Sequence, residues 1–182
     1  MIELSVIRDL VTIFGVLAGF SYYVLTVRAN SRNQQLQLET RQTQLYMQIY
    51  QQIADEKFGK NYVEFMNMTW LNYDDFEKKY GSDEHPENYS MRWNLWYLID
   101  GVGYILRRNM IDVETVVNLG GGMFLMVWEK SKELIIEQRR RYKIPFLLDN
   151  FEYLVNDINR WSHEHGRAYD FPSTFLKYVP EK

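Results

Sequence analysis

The sequence predicts an all-α protein in which an N-terminal transmembrane helix continues into a long stalk helix and is followed by a soluble helical bundle. Three observations carry this. An uncharged apolar run, Leu10 to Val27, lies near the N-terminus. From Arg28 to about Glu56 there is neither Gly nor Pro to break a helix. Beyond that, apolar residues recur at helical spacing and no segment alternates with the period of a strand. The expected organisation is an anchor over 1–28, an amphipathic stalk over 29–56 and a helical domain with an irregular tail over 57–182.

The apolar run comes first. At about 1.5 Å per residue it spans roughly 27 Å, close to the roughly 30 Å of a bilayer's hydrocarbon core. Ile2, Leu4, Val6 and Ile7 can extend it. Tyr22 and Tyr23 lie near its end, where amphipathic rings favour the membrane interface. A cleaved signal peptide is the main competing reading, with Val27-Arg28-Ala29 as a conceivable cleavage site. The long apolar run and an N-terminal region that mixes Glu3, Arg8 and Asp9 oppose it. Arg8 stands alone before the run, whereas Arg28, Arg32 and Arg41 follow it. That excess places the C-terminal side in the cytoplasm and the N-terminus outside. Gly15 and Gly19 form a G-x-x-x-G pair, which lets two membrane helices approach closely, although glycine is common in such helices anyway.

In the stalk, Leu38, Leu45, Tyr46, Ile49 and Ile53 share one face. The other positions are polar and rich in Gln. Either the protein's own bundle buries this apolar face, or a second copy or partner subunit does. The register is too short to define a coiled coil.

The domain reads as a series of helices. Phe58, Tyr62, Phe65 and Met66 mark one that runs to about Leu71. Asp74 is expected to cap a short helix holding Phe76 and Tyr80 and ended by Gly81. Pro86 suits the first turn of a helix carrying Met91, Leu95, Leu98, Ile99, Val102, Ile105 and Leu106. Asp112 caps the next, which Gly120-Gly121-Gly122 interrupts. Phe124 to about Tyr142 forms another, and Pro145 is expected to start the last, with Phe151, Leu154, Val155 and Ile158 inward. The tail from Gly166, with Phe171, Phe175, Leu176 and Tyr178, is expected to strap over the bundle.

Composition narrows the function classes. The chain of 182 residues has a formal net charge of −3 and no Cys. The mild charge gives no footprint of nucleic-acid binding. Without Cys there are no disulfides, thiolate zinc sites or iron–sulfur clusters. Mean hydropathy is negative, so most of the chain is suited to water.

The sequence offers little recognisable chemistry. The three histidines are His85, His163 and His165. The His163-Glu164-His165 spacing does not put both rings on one helical face, and a Glu-x-x-His di-iron signature is absent. Gly120-Gly121-Gly122 precedes a helix but has no Gly-Lys-Ser/Thr after it and no strand before it, so a helix break is the better reading than a phosphate cradle. Gly101 and Gly103 lie mid-helix and suit close helix contact. Ser90, Ser131, Ser162 and Ser173 lie in no nucleophile-elbow context. No catalytic residue, metal ligand or cofactor is expected. The basic group Arg139, Arg140, Arg141 and Lys143 suits a helix C-terminus, where cations are favoured. Its functional reading is contact with anionic lipid headgroups.

Several stretches carry a resemblance. These are Val11 to Tyr23 running into Arg28, Leu38 to Tyr46, Gly120 to Glu129, and Asn150-Phe151-Glu152-Tyr153-Leu154. Together they resemble a group of small prokaryotic proteins grouped as a domain of unknown function. The resemblance implies one N-terminal transmembrane helix leading into a helix-rich domain, and no activity or catalytic residues.

The expected function is therefore a non-enzymatic, membrane-tethered interaction module. It would be an accessory subunit of a larger membrane complex or a self-assembling scaffold, with membrane lipid, other subunits or copies of itself as partners. The alternative is a tethered sensor or effector with a small molecule or lipid in an aromatic-lined pocket, for which Trp70, Trp93, Trp96, Trp128 and Trp161 are the residues to locate.

Overall fold

The computed structural model describes residues 4–169. Six helices follow in chain order: α1 (Leu4–Ile53), α2 (Glu56–Asn67), α3 (Tyr73–Tyr80), α4 (Pro86–Arg107), α5 (Val113–Tyr142) and α6 (Asp149–Glu164), with no strand among the described residues. The chain divides into two compact units, Met1–Gln44 and Leu45–Lys182, and the boundary falls inside α1. The part of the expected tail holding Phe171, Phe175, Leu176 and Tyr178 lies outside the described residues.

The described part of the first unit is helix throughout. Its apolar window is long and apolar enough to cross a membrane, and none of that window is buried. Thr12, Thr26, Thr40 and Thr43 each donate their hydroxyl to the carbonyl four residues earlier, at 2.7–2.9 Å. These four hydroxyls therefore have an acceptor within the helix itself.

In the second unit the last turns of α1 join the core. Ile49 is buried, and Leu45, Tyr46 and Ile53 pack against it partly covered. α1 stops at Ile53, three residues before the expected end, because Asp55 takes the N-cap of α2 and accepts from the Lys57 amide at 2.8 Å. α2 buries Phe58, Phe65 and Met66 and ends at Asn67 rather than near Leu71. Met68 is already extended there, and its carbonyl accepts from Lys130 Nζ at 2.8 Å.

The cap of α3 is Asn72, whose Oδ1 accepts from the Asp75 amide at 3.0 Å. Asp74, the expected cap, sits in the first turn, where a carboxylate also complements the helix dipole. Gly81 ends the helix as expected. A Cβ there would lie 2.3 Å from the Glu77 carbonyl oxygen, so only glycine fits. Pro86 occupies the first turn of α4, and Asp112 caps α5 by accepting from the Thr115 amide at 2.7 Å.

Gly120 leaves helical conformation and kinks α5 without ending it. The space beside Gly121 and Gly122 is filled by the Tyr169 ring, 2.9 and 3.0 Å from where their Cβ atoms would be. The glycines thus admit an aromatic side chain from after α6, with Ile158 of α6 also close to Gly121.

Pro145 does not start α6. A turn runs through it, Leu148 takes a left-handed conformation (φ 55°), and the helix begins at Asp149. Leu148 has no side chain able to cap, so Asp100 of the neighbouring α4 does so. Its Oδ1 accepts from the Phe151 amide at 2.9 Å and its Oδ2 from Asn150 Nδ2 at 3.2 Å. α4 and α6 approach so closely that a Cβ on Gly103 would fall 2.0 Å from the Asn150 carbonyl oxygen. Phe65, Phe76, Trp96, Phe124 and Phe151 are fully buried in the core.

Candidate functional site

Gly15 and Gly19 lie one turn apart on α1, and a Cβ added at either meets nothing within 4 Å. The face expected on the stalk divides into two. Leu45, Tyr46, Ile49 and Ile53 pack into the protein's own core, whereas Leu38 is 59% exposed.

The basic group divides as well. Arg139 is an internal clamp. It donates through Nε to the Leu147 carbonyl at 2.8 Å, through Nη2 to the Leu148 carbonyl at 3.4 Å, and through Nη1 to Glu152 at 2.6 Å. It thereby holds the turn that the left-handed Leu148 closes. Arg140 and Arg141 both bond Glu137, and Arg141 also pairs with Asp74 at 2.7 Å and lies over the Tyr73 ring. The two guanidiniums hold the Glu137 carboxyl at about 2. Lys143 caps α5 in a left-handed conformation and is exposed.

These roles predict different consequences of substitution. Arg139→Lys removes the planar fork and is expected to cost about 1–2 kcal/mol. Arg140→Ala, at an exposed ion pair, is expected to leave the melting temperature unchanged within error. Thermal unfolding of the two variants side by side checks this, and equal losses would remove the distinction.

The five tryptophans do not converge on one cavity. Trp70, Trp93 and Trp96 belong to one ring cluster with Phe65 and Phe76, in which Trp70 meets Phe76 edge-on at 5.0 Å and Trp93 meets Trp96 at 5.5 Å. Trp128 packs on Phe151 at 5.1 Å, and Trp161 stacks on His165 at 4.2 Å. His165 follows the last turn of α6, and His163 is exposed. Among the described residues no group of three His, Cys, Asp or Glu is placed to hold a metal ion.

Two buried cations escaped the sequence reading. Arg92 is wholly buried, with its guanidinium over the rings of Phe76 at 4.5 Å, Trp96 at 5.3 Å and Tyr89 at 5.4 Å. Its Nη1 donates to the Tyr80 carbonyl at 3.1 Å. Its Nε and Nη2, with the indole N–H groups of Trp93 and Trp96, are buried without a hydrogen-bond partner. Burial pushes the Arg92 guanidinium below its ordinary value, and the Glu77 charge opposes this. Close by, the Tyr73 and Tyr142 hydroxyls lie 3.2 Å apart, and burial first, then that contact, raises the Tyr73 phenol above the usual range.

Lys130 is 2% exposed and sits 4.7 Å from the Trp70 ring centroid and 5.9 Å from that of Phe65. Burial brings its ammonium down to about 8. The signal for both residues was present in the sequence. Arg92 stands three, four and seven residues before Leu95, Trp96 and Ile99, and Lys130 stands between Val127 and Leu134 on one stripe.

The structure defines an all-α protein in which, among the described residues, one helix is long and apolar enough to cross a membrane. No family model matches this chain, and no curated protein or solved structure matches it.

Proposed function

We propose that this chain is a single-pass membrane protein that works as a helical interaction module, with its C-terminal domain in the cytoplasm. It acts as an accessory subunit of a larger membrane complex or as a self-assembling scaffold. One observation carries the reading. The apolar window of α1 has none of its side chains buried, while Leu45, Tyr46, Ile49 and Ile53 at its end pack into a core. Exposed apolar area of that extent is costly in water and is relieved in hydrocarbon. The basic excess after the run supports the cytoplasmic orientation, and the resemblance to small prokaryotic single-span proteins fits the same reading.

The test is alkaline carbonate extraction of the full-length protein with protease protection of sealed vesicles. The chain is expected to stay in the membrane pellet, with residues beyond Gln44 cut only from the cytoplasmic side. Release into the supernatant, or a new N-terminus after Ala29, would refute the anchor. A lone, non-interacting monomer in mild detergent would refute the interaction module.

A second reading, a tethered sensor binding a small molecule or lipid, is favoured by the unpartnered donors of Arg92, Trp93 and Trp96. Tryptophan fluorescence that stays unchanged on titration with a panel of small anions and with lipid would remove it.

A further inference from the structure

We propose that α1 pairs in parallel with α1 of a second copy of this chain, through one uncharged face that runs from Gly15 to Gln44. The inference rests on the membrane-anchored reading, because insertion in one orientation sets every copy the same way up.

The face follows from helical geometry. With about 100° between successive residues, Gly15, Gly19 and Thr26 in the apolar run and Asn33, Gln37 and Gln44 after it fall within an arc of about 60°. All six belong to the first unit, and none is buried. Tyr22 and Thr40 lie on the same arc, the Tyr22 ring exposed and the Thr40 hydroxyl already bonded to the Leu36 carbonyl. Arg28, Arg32 and Glu39 point to the other side of the helix, Arg41 borders the arc, and Arg8, before Gly15, falls in line with it but is paired with Asp9.

The chemistry selects a second copy. In a parallel pair related by a two-fold axis, each residue near the axis faces itself. A charge there repels its own image, and a charge-free arc with charges behind it meets that demand. A foreign partner imposes no such condition, since it can offer the opposite charge. Amides meet the demand in another way, because each carries both donor and acceptor and can bond to its own copy. A single polar Asn in a two-stranded seam fixes register in this manner. Within the membrane, Gly15 and Gly19 permit the close backbone approach that such a pair needs, and the space beside both is open. The apolar face of Leu45, Tyr46, Ile49 and Ile53 is not the pairing surface, because the protein's own core uses it.

The chain has no cysteine, so single-cysteine variants report on one position each. Asn33→Cys and Gln37→Cys are placed on the face, and Gln35→Cys and Gln42→Cys on the opposite side. Each full-length variant is reconstituted in vesicles and treated with a short bismaleimide, and a portion is extracted with carbonate. The face variants are expected to form covalent dimers several-fold faster than the others, and Gly19→Leu is expected to slow dimer formation in Asn33→Cys. A flat profile, or a maximum at Gln35 and Gln42, in protein that remains in the carbonate pellet overturns the pairing and leaves the anchor standing. Protein lost from the pellet overturns the anchor and the pairing with it. In native membranes, cross-linking at position 33 or 37 to a foreign polypeptide in place of a second copy overturns the pairing as well.

Discussion

Gly103→Ala is expected to lower the stability of the helical domain by about 3 kcal/mol, at the upper end of overpacking costs. The new methyl carbon would sit 2.0 Å from the Asn150 carbonyl oxygen and 2.6 Å from its carbonyl carbon. Backbone atoms cannot turn aside as a flexible side chain can, so α4 and α6 must part. Parting them also loosens the bonds from Asp100 that start α6. Gly101, two residues earlier on the same helix, supplies the control. A Cβ there meets nothing within 4 Å, so Gly101→Ala is expected to stabilise by up to about 1 kcal/mol through helix propensity alone. Urea unfolding of the full-length protein in mild detergent, followed by tryptophan fluorescence, reads both. Losses of equal size would show that the α4–α6 contact is not the cause.

The second large effect concerns pH. Lys130 titrates at about 8 in the folded protein against an ordinary 10.5, because burial disfavours its charged form. Between these values the unfolded chain binds more protons than the folded one, so stability rises with pH. The cost of burying the charge is fully present below pH 8 and is relieved toward pH 10. The difference corresponds to at most about 3 kcal/mol. Tyr73 works in the other direction above pH 10, since its raised phenol is protonated in the folded state and ionises more readily in the unfolded chain. The informative window is therefore pH 8–10. There the parent protein is expected to gain stability and Lys130→Met to show a flat profile. At neutral pH the variant's net change is small, because the Met68 carbonyl loses its donor while the desolvation cost disappears. An unchanged slope in Lys130→Met would mean that another group carries the pH dependence.

Much of the helical order was legible from period and caps. The start of α4 at Pro86, the Asp112 cap and the stop at Gly81 are local features, and local features are what a sequence displays. Two of the errors share a cause. α2 ends at Asn67 because Lys130, far along the chain, takes the Met68 carbonyl. α6 starts at Asp149 rather than Pro145 because its cap comes from Asp100. Both boundaries are set by partners remote in sequence. The stalk face was legible as an amphipathic stripe, but not how its residues divide: Leu45, Tyr46, Ile49 and Ile53 pack in the core, while Leu38 stays exposed. Arg139 reads in sequence like its neighbours Arg140 and Arg141. Only the path of the following turn separates a clamp on two carbonyls from surface ion pairs.

The borrowed cap on α6 has a consequence for the order of assembly. The amide of Phe151 is satisfied by an acceptor 51 residues earlier in the chain. During synthesis Asp100 emerges first and must wait for its partner, and α6 has no side chain at Leu148 with which to begin alone. Its first turn is thus expected to follow docking and not to seed it, with α4 as the template on which α6 forms.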